Sequence, residues 1–339
     1  MDDIQASLSK ALSNQGWIFG DKLHRIGNPF IWVDGDNTPG LYSVSGSKAI
    51  LQFLSMFYEE YPMIESVITN DYEKVRSRIR DYLLSAFRHF TPFLDTTISG
   101  FDKYIDCTAL IRAQDYSIIR SLCHDLKSPI NHLDIGPGLG SHAIYSLMEF
   151  ESCYYAIEAS PHSYSAQRNF FRFLSHKYGF YLDVVECESY DLSQSLISEL
   201  VNENMTYRIK HIPSWHFDIV KDQSIDLITA TWVLNEVSLA GILWLMSHAM
   251  RVLRNKGYFY IRDSSRLKPL RHSIDYDELL TKMGFKEVER IQVRNRVDFY
   301  GVPRVYQKEN KSTHSFDNLV GLYLGKHDIS AKGSSFAPK

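Results

Sequence analysis

Asn131-His132-Leu133-Asp134-Ile135-Gly136-Pro137-Gly138-Leu139-Gly140-Ser141 is the stretch that decides the fold. A short apolar run carrying one acid leads into three alternating glycines and then directly into residues that favour a helix. Alternating glycines permit a tight turn and leave bare backbone where any Cβ would intrude on a ligand. The first N–H groups of the following helix lack intrahelical partners and point into the same space. Strand, glycine turn and helix in this order predict the first unit of a parallel α/β sheet, with a nucleotide or nucleoside site at its edge.

The glycines are spaced G-x-G-x-G, and Ser141 stands where the dinucleotide pattern G-x-G-x-x-G has its third glycine. Asp134 lies two residues before Gly136, where a carboxylate would repel a pyrophosphate and suit a cationic amino acid. Glu158, twenty residues after Gly138, closes a second apolar strand, Tyr154-Tyr155-Ala156-Ile157. An acid in that place accepts hydrogen bonds from both ribose hydroxyls. Acid, glycine loop and second acid together describe S-adenosylmethionine, which carries an ammonium, a sulfonium and a ribose but no phosphate.

On these residues the chain resembles the class I methyltransferases, from about Ser128 to Lys308. Leu133–Gly140 is similar to their first motif and Ala156-Ile157-Glu158-Ala159-Ser160 to their ribose-binding motif. Ser224–Thr231 is similar to their fourth strand, and Leu253–Ile261 to the turn into their fifth. A weaker resemblance, over the whole chain, is to bacterial sugar O-methyltransferases, with helices ahead of the cofactor domain and Pro213-Ser214-Trp215-His216-Phe217 after the third strand. The resemblance implies an α/β, Rossmann-like, seven-stranded and mostly parallel sheet with an N-terminal helical cap. It divides the chain into a cap or substrate region at 1–127, a cofactor domain at 128–311 and a tail at 312–339.

The bulk numbers suit that expectation. A 339-residue chain with 44% hydrophobic and 23% charged residues is long enough and apolar enough for a sizeable core. Net charge −3 gives no reason to expect nucleic acid or an anionic membrane as partner, and clustered Arg76, Arg78, Arg80 and Arg88 read as a solvated helix face. Cys107, Cys123, Cys153 and Cys187 are scattered without C-x-x-C pairing, which fits reduced thiols better than disulfides or a zinc site. Met1-Asp2-Asp3 starts no basic-then-apolar leader, and no apolar run approaches the ~20 residues of a spanning helix. A cytoplasmic protein is expected.

Ahead of the glycine loop, Ile50, Phe53, Leu54, Phe57, Tyr58 and Tyr61 form one stripe at helical spacing, and Val75, Ile79, Tyr82, Leu83 and Phe87 a second. A third helix is expected over Asp115 to Leu126. The loop holding Asn28, Pro29, Phe30, Trp32, Asp34 and Asp36 reads first as structural, with substrate contact as the alternative. Behind the loop, helices are expected over Ser141–Phe150, Pro161–His176 and up to Leu253, with strands at Tyr207–Ile212, Ile225–Ala230 and Tyr258–Arg262. Phe180 to Met205 reads as an insertion in which Tyr181–Val185 fits a strand and Leu192–Val201 a helix. Gly284-Phe285 precedes a final antiparallel hairpin, Lys286–Val293 and Tyr300–Lys308, which dinucleotide domains lack.

Ligands in open parallel sheets sit at the carboxyl ends of the strands, near the point where strand order reverses. The resemblance therefore implies a cofactor held by Asp134, Gly136, Pro137, Gly138 and Gly140 at its methionine end, by Glu158, Ala159 and Ser160 at its ribose, and flanked by Trp215, Thr231 and Trp232. Family members commonly carry an acid after the third strand, where this chain has Ser214, Trp215 and His216. Trp215 reads equally as a purine stack and as core. Methyl transfer to a hydroxyl needs alignment and a base for its proton. Candidates for the base are His216, Glu236 and Asp263, with Asn235 and Arg262 as substrate contacts. His211 and His216 form no metal pattern, and no metal site is expected.

Thr231-Trp232-Val233-Leu234-Asn235-Glu236 lacks the N/D-P-P-Y/F signature of amide and nucleobase methyltransferases. O-methylation of a sugar or other small hydroxylated acceptor is thus the leading expectation. Small-molecule N-methylation, a nicotinamide-linked oxidoreductase and a non-catalytic cofactor binder are the alternatives.

Overall fold

The structure, a computed structural model, describes residues 6, 7, 10, 68–90, 101–159, 161–179, 184–187, 189, 191–201, 208–234, 239–263, 276–290 and 302–309. The aromatic loop at 28–36, the stripe at 50–61, the tail at 312–339 and the residues Ser160, Asn235 and Glu236 lie outside them.

The helices that lead into the sheet are α1 at Tyr72–Phe90 and α2 at Phe101–Leu122. The second expected stripe is the buried side of α1, with Val75, Ile79, Tyr82, Leu83 and Phe87 all essentially inaccessible. The third expected helix is corrected, because α2 starts fourteen residues earlier than Asp115. Its early turns escape a periodicity reading because buried polar residues interrupt the apolar stripe of Ile105, Ala109 and Ala113. Thr108, Arg112 and Asp115, at helical spacing, are all buried.

Strand and helix then alternate as expected: β1 Asn131–Ile135, α3 His142–Glu149, β2 Cys153–Glu158, α4 Pro161–Tyr178, β3 Val184–Glu186, α5 Gln194–Val201 and β4 Ile209–Pro213. A 3-10 turn, Ser214–Ile219, leads to β5 Ile225–Thr231, α6 Leu239–Val252, β6 Leu253–Asp263, α7 Tyr276–Lys282, β7 Phe285–Arg290 and β8 Val302–Lys308. The sheet order is β3-β4-β2-β1-β5-β6-β8-β7. The strands from β1 to β6 pair in parallel, and β8 runs antiparallel between β6 and β7.

Among the described residues the sheet has eight strands, one more than expected. The extra one is β3 inside the inserted segment, whose Val184-Val185-Glu186 adds to the free edge of β4. Strand β6 begins at Leu253, and the expected turn appears as a break in register, with Ile225 facing Leu253, Leu227 facing Tyr258 and Lys256 between them at a left-handed φ of 65°.

Two apolar clusters sandwich the sheet. Leu133, Ile135, Ile157, Ile228 and Phe259 face α6 and α7, while Tyr154, Ala156, Leu227, Tyr258, Tyr260 and Val305 face α1 to α4. The described helices of the expected cap share this second cluster, so they form a helical layer of the sheet. Period-two alternation puts His132 and Asp134 of β1, Thr229 and Thr231 of β5, and Tyr260 and Arg262 of β6 on that same face. Asp134 pairs with Thr229, Thr229 with Tyr260 and Thr231 with Arg262 across adjacent strands. A polar ladder thus runs across a buried face toward the carboxyl edge. Among the described residues, no helix is long and apolar enough to cross a membrane.

Candidate active site at the switch point

Chain order reverses at β1, which has β2 on one side and β5 on the other. In open parallel sheets such a reversal is where a ligand crevice is expected, at the carboxyl edge between the two strands. The floor of the crevice is the glycine loop, in which Gly136, Gly138 and Gly140 take φ of 62°, 60° and 71°. That left-handed region is cheap only for glycine. Gly136 N–H donates to Ile157 O (2.9 Å), which ties the loop to the end of β2.

Glu158 stands at that end, buried, with Oε1 accepting from Ala159 N–H (2.8 Å) and Oε2 from Gln167 Nε2 (2.6 Å). Gln167, on α4, also donates to Gly138 O (2.7 Å), so one amide fixes both the loop and the acid. His211 of β4 orients that amide by donating Nε2–H to Gln167 Oε1 (2.9 Å). Tyr164 stacks on His211 at 3.6 Å with the rings within 8° of parallel. Burial holds His211 well below the usual imidazole range, so it works here as a neutral donor.

Asp134 lies beneath the crevice. Its carboxylate is fully buried and accepts from His142 Nδ1–H (2.9 Å), Tyr154 Oη–H (2.6 Å) and Thr229 Oγ1–H (2.7 Å). Oδ2 carries two of these bonds and Oδ1 one, and the carboxylate is closed off from solvent in this arrangement. The Thr229 bond also sets the state of His132. With its proton given to Asp134, Thr229 accepts from His132 Nε2–H (2.9 Å), and His132 Nδ1 accepts from Ser146 Oγ (2.7 Å). His132 is thus neutral, and burial lowers its pKa to about 3.

Helix α2 supplies residues that sequence reasoning missed. Asp115 is fully buried; Arg262 Nη1 (2.5 Å) and Tyr260 Oη (2.6 Å) donate to its Oδ1, and Arg112 Nη1 donates to its Oδ2 (2.9 Å). Arg112 Nε donates to Ser141 Oγ (3.0 Å) at the foot of α3. Burial alone would raise the Asp115 pKa, but Arg262, His142 and Arg112 outweigh it and hold the carboxyl well below its usual range. Arg262, expected to touch substrate, is 2% exposed and bound to Asp115 and Gln114, which makes it part of this network. The available signal was Thr108, Arg112 and Asp115 at i, i+4 and i+7, which also fits a solvated face.

Thr231 ends β5 and Trp232 follows in a left-handed turn, φ 58°, with its N–H donated to Arg262 O (2.7 Å). Beyond the pair Glu158–Pro213, Ser214 and Trp215 are buried, and Ser214 Oγ and Trp215 Nε1 have no partner among the described residues. His216 donates Nε2–H to Ser189 O (2.7 Å), and burial lowers its pKa. Asp263 closes β6 opposite Val302. The glycine loop with Pro137, Glu158 with Ala159, Trp215, Thr231 and Trp232 therefore meet at one edge, and His216 lies beside them. No group of acids, histidines and cysteines that could hold a metal occurs among the described residues.

No family model matches the chain, and no curated protein matches it. Solved structures resemble it distantly. A SAM-dependent methyltransferase from Aquifex aeolicus is 16% identical with TM-score 0.34, over 57% of this chain and 88% of that one. Geranyl diphosphate C-methyltransferase from Streptomyces coelicolor A3(2), solved with S-adenosyl-L-homocysteine, is 11% identical with TM-score 0.42, over 72% of this chain and 99% of that one. Phosphoethanolamine N-methyltransferase 1 from Haemonchus contortus is 13% identical with TM-score 0.38, over 82% of this chain and 53% of that one. Likeness at this level says nothing of substrate.

The buried histidines set a pH dependence. His132 and His248 each titrate at about 3 in the fold, His132 through burial and His248 through burial and the Arg251 charge beside it. An unfolded histidine titrates near 6.5. Between those values the unfolded chain binds more protons, so stability is full above about pH 6.5 and falls as pH drops. Going from pH 7 to pH 5 is expected to cost about 1–2 kcal/mol per histidine. A melting temperature that stays level over this range contradicts the neutral assignment.

Proposed function

We propose that this chain is an S-adenosylmethionine-dependent methyltransferase of the class I type, acting on a hydroxyl of a small acceptor, with a sugar as first candidate. The observation that carries the reading is the crevice between β1 and β5, where three left-handed glycines adjoin an oriented Glu158. The antiparallel β8 between β6 and β7 supports it, because a dinucleotide-binding sheet lacks that strand.

The residues present fit this cofactor. The glycine backbone leaves room for the amino-acid end, and Glu158, with Ala159 behind it, takes the ribose hydroxyls. Ser214 Oγ and Trp215 Nε1, buried and unpartnered at the next strand end, suit the purine edge. Asp134 contributes negative charge beneath the loop, through His142 and Tyr154. When bound, the cofactor supplies a methyl group made electrophilic by its sulfonium. The chain's own task is to align the acceptor oxygen and receive its proton. His216 is the first candidate for the second part, since burial lowers its pKa toward the neutral form and Nε2–H donates to Ser189 O. Asp263 and Glu236 are the other bases proposed, and Asn235 a substrate contact.

The test is incubation of the full chain with methyl-labelled S-adenosylmethionine and a panel of sugars, glycosides, phenols and amines. Label in a hydroxylated acceptor, with an equal amount of S-adenosylhomocysteine, is the expected result. Label confined to amines or to carbon overturns the hydroxyl assignment. Tight cofactor binding without any transfer across the panel points to a non-catalytic binder.

A further inference from the structure

Arg112 is fixed in the crevice by contacts that leave one end of its guanidinium idle. Nε donates to Ser141 Oγ (3.0 Å), and Nη1 faces Asp115 Oδ2 (2.9 Å), His142 Nε2 (2.6 Å) and Thr231 Oγ1 (3.1 Å). Ser141 follows the glycine loop and Thr231 ends β5, so these two anchors straddle the gap between β1 and β5. The side chain is 9% exposed, and Nη2 donates to nothing among the described residues. Trp232 holds the guanidinium plane from one side, with its ring centroid 5.2 Å from Cζ.

Asp115 Oδ1 serves Arg262 and Tyr260 and only Oδ2 serves Arg112, while Asp134 acts on Arg112 by charge without a hydrogen bond, so the Nη2 end is left without a hydrogen-bonded anion. An arginine stays charged at every working pH, and its planar edge matches a carboxylate. The Nη2 donors are left open at this edge, where an anionic ligand group would complete them.

We infer that Arg112 is the carboxylate anchor of the site, its Nη2 edge taking the α-carboxylate at the amino-acid end of the ligand. The inference rests on the S-adenosylmethionine reading above and sharpens it. Ser141 then has a reason to replace the third glycine of the dinucleotide pattern, because its Oγ accepts the Nε–H that aims the guanidinium. The left-handed φ of Trp232 has one too, since it turns the indole under the same group.

The experiment is calorimetric titration of the full-length wild type and Arg112→Lys with S-adenosylmethionine, its decarboxylated analogue and 5′-methylthioadenosine. The wild type is expected to bind the decarboxylated ligand about 10- to 100-fold more weakly than the parent, the worth of a hydrogen bond to a charged group. Arg112→Lys is expected to weaken the parent alone, bringing the two affinities together and leaving 5′-methylthioadenosine unchanged. Equal wild-type affinities, or a variant that weakens all three ligands alike, overturn the inference and leave the cofactor reading standing. A wild type that binds none of the three overturns the cofactor reading, and the inference falls with it. Should Arg112→Lys fail to fold, Arg112→Gln, which keeps a donor for Ser141, takes its place. If neither folds, the wild-type comparison of parent and decarboxylated ligand decides.

Discussion

Asp115→Asn is expected to destabilise the fold by about 3–5 kcal/mol, the cost of leaving a buried ion pair without one partner. The substitution keeps shape and removes one charge from a group at 0% exposure. Arg112 and Arg262 then share Asp134 as the remaining carboxylate of the network, and Asp134 contacts neither through a hydrogen bond. Tyr260 and His142 lose an anionic partner as well. Because the folded pKa of Asp115 is depressed, its contribution is present above the ordinary carboxylate range and is lost as pH falls through the folded value. The acid limb of the wild-type stability curve should therefore flatten in the variant. Denaturant unfolding at pH 7 measures the first effect, and a loss below about 1 kcal/mol, the size for a screened surface pair, contradicts the buried network.

Gly140→Ala is the second large effect, at about 2–4 kcal/mol from two independent terms. The residue holds φ +71°, which costs an L side chain about 1–2 kcal/mol. A Cβ there would also fall on the edge of the Phe171 ring, 2.9 Å from its Cζ and nearer still to Cε1. Phe171 has no easy retreat, since it packs edge-on against Tyr154 and His211 at 6.1 and 5.0 Å. Either the loop lifts from β2 or α4 moves, and both disturb Gln167 and Glu158. Gly179 is the control, with φ +78° and open space around it, so Gly179→Ala should show the backbone term alone, about 1–2 kcal/mol. Equal losses in the two variants would remove the steric part of the argument.

The legible features were those set by local pattern. The glycine loop, the five strands around it and the Pro161 helix announce themselves through turn residues and period-two runs that tertiary packing only confirms. The final hairpin was legible for the same reason, since Gly284 takes a left-handed φ of 89° before Phe285 enters the sheet. Strand β3 overlaps the strand-like run Tyr181–Val185, but its three residues are too few for a period and join the sheet only at the edge of β4. The buried polar face was hidden in principle. His132, Asp134, Thr229 and Thr231 alternate with apolar residues as they would on a strand with one wet side, and only the arrival of α2 shows that this side is dry. The same ambiguity concealed Arg112 and Asp115. Gln167 and His211 were out of reach because their meaning lies in contact with Glu158 and the loop.

The most direct test of the central claim is equilibrium binding of S-adenosylmethionine and of NADH to the wild type and to Glu158→Ala. Saturable binding of S-adenosylmethionine, weakened about 10- to 100-fold by the substitution as partners of the ribose go unpaired, is the expected result. Binding of NADH with none of S-adenosylmethionine, or S-adenosylmethionine binding that ignores Glu158→Ala, contradicts it.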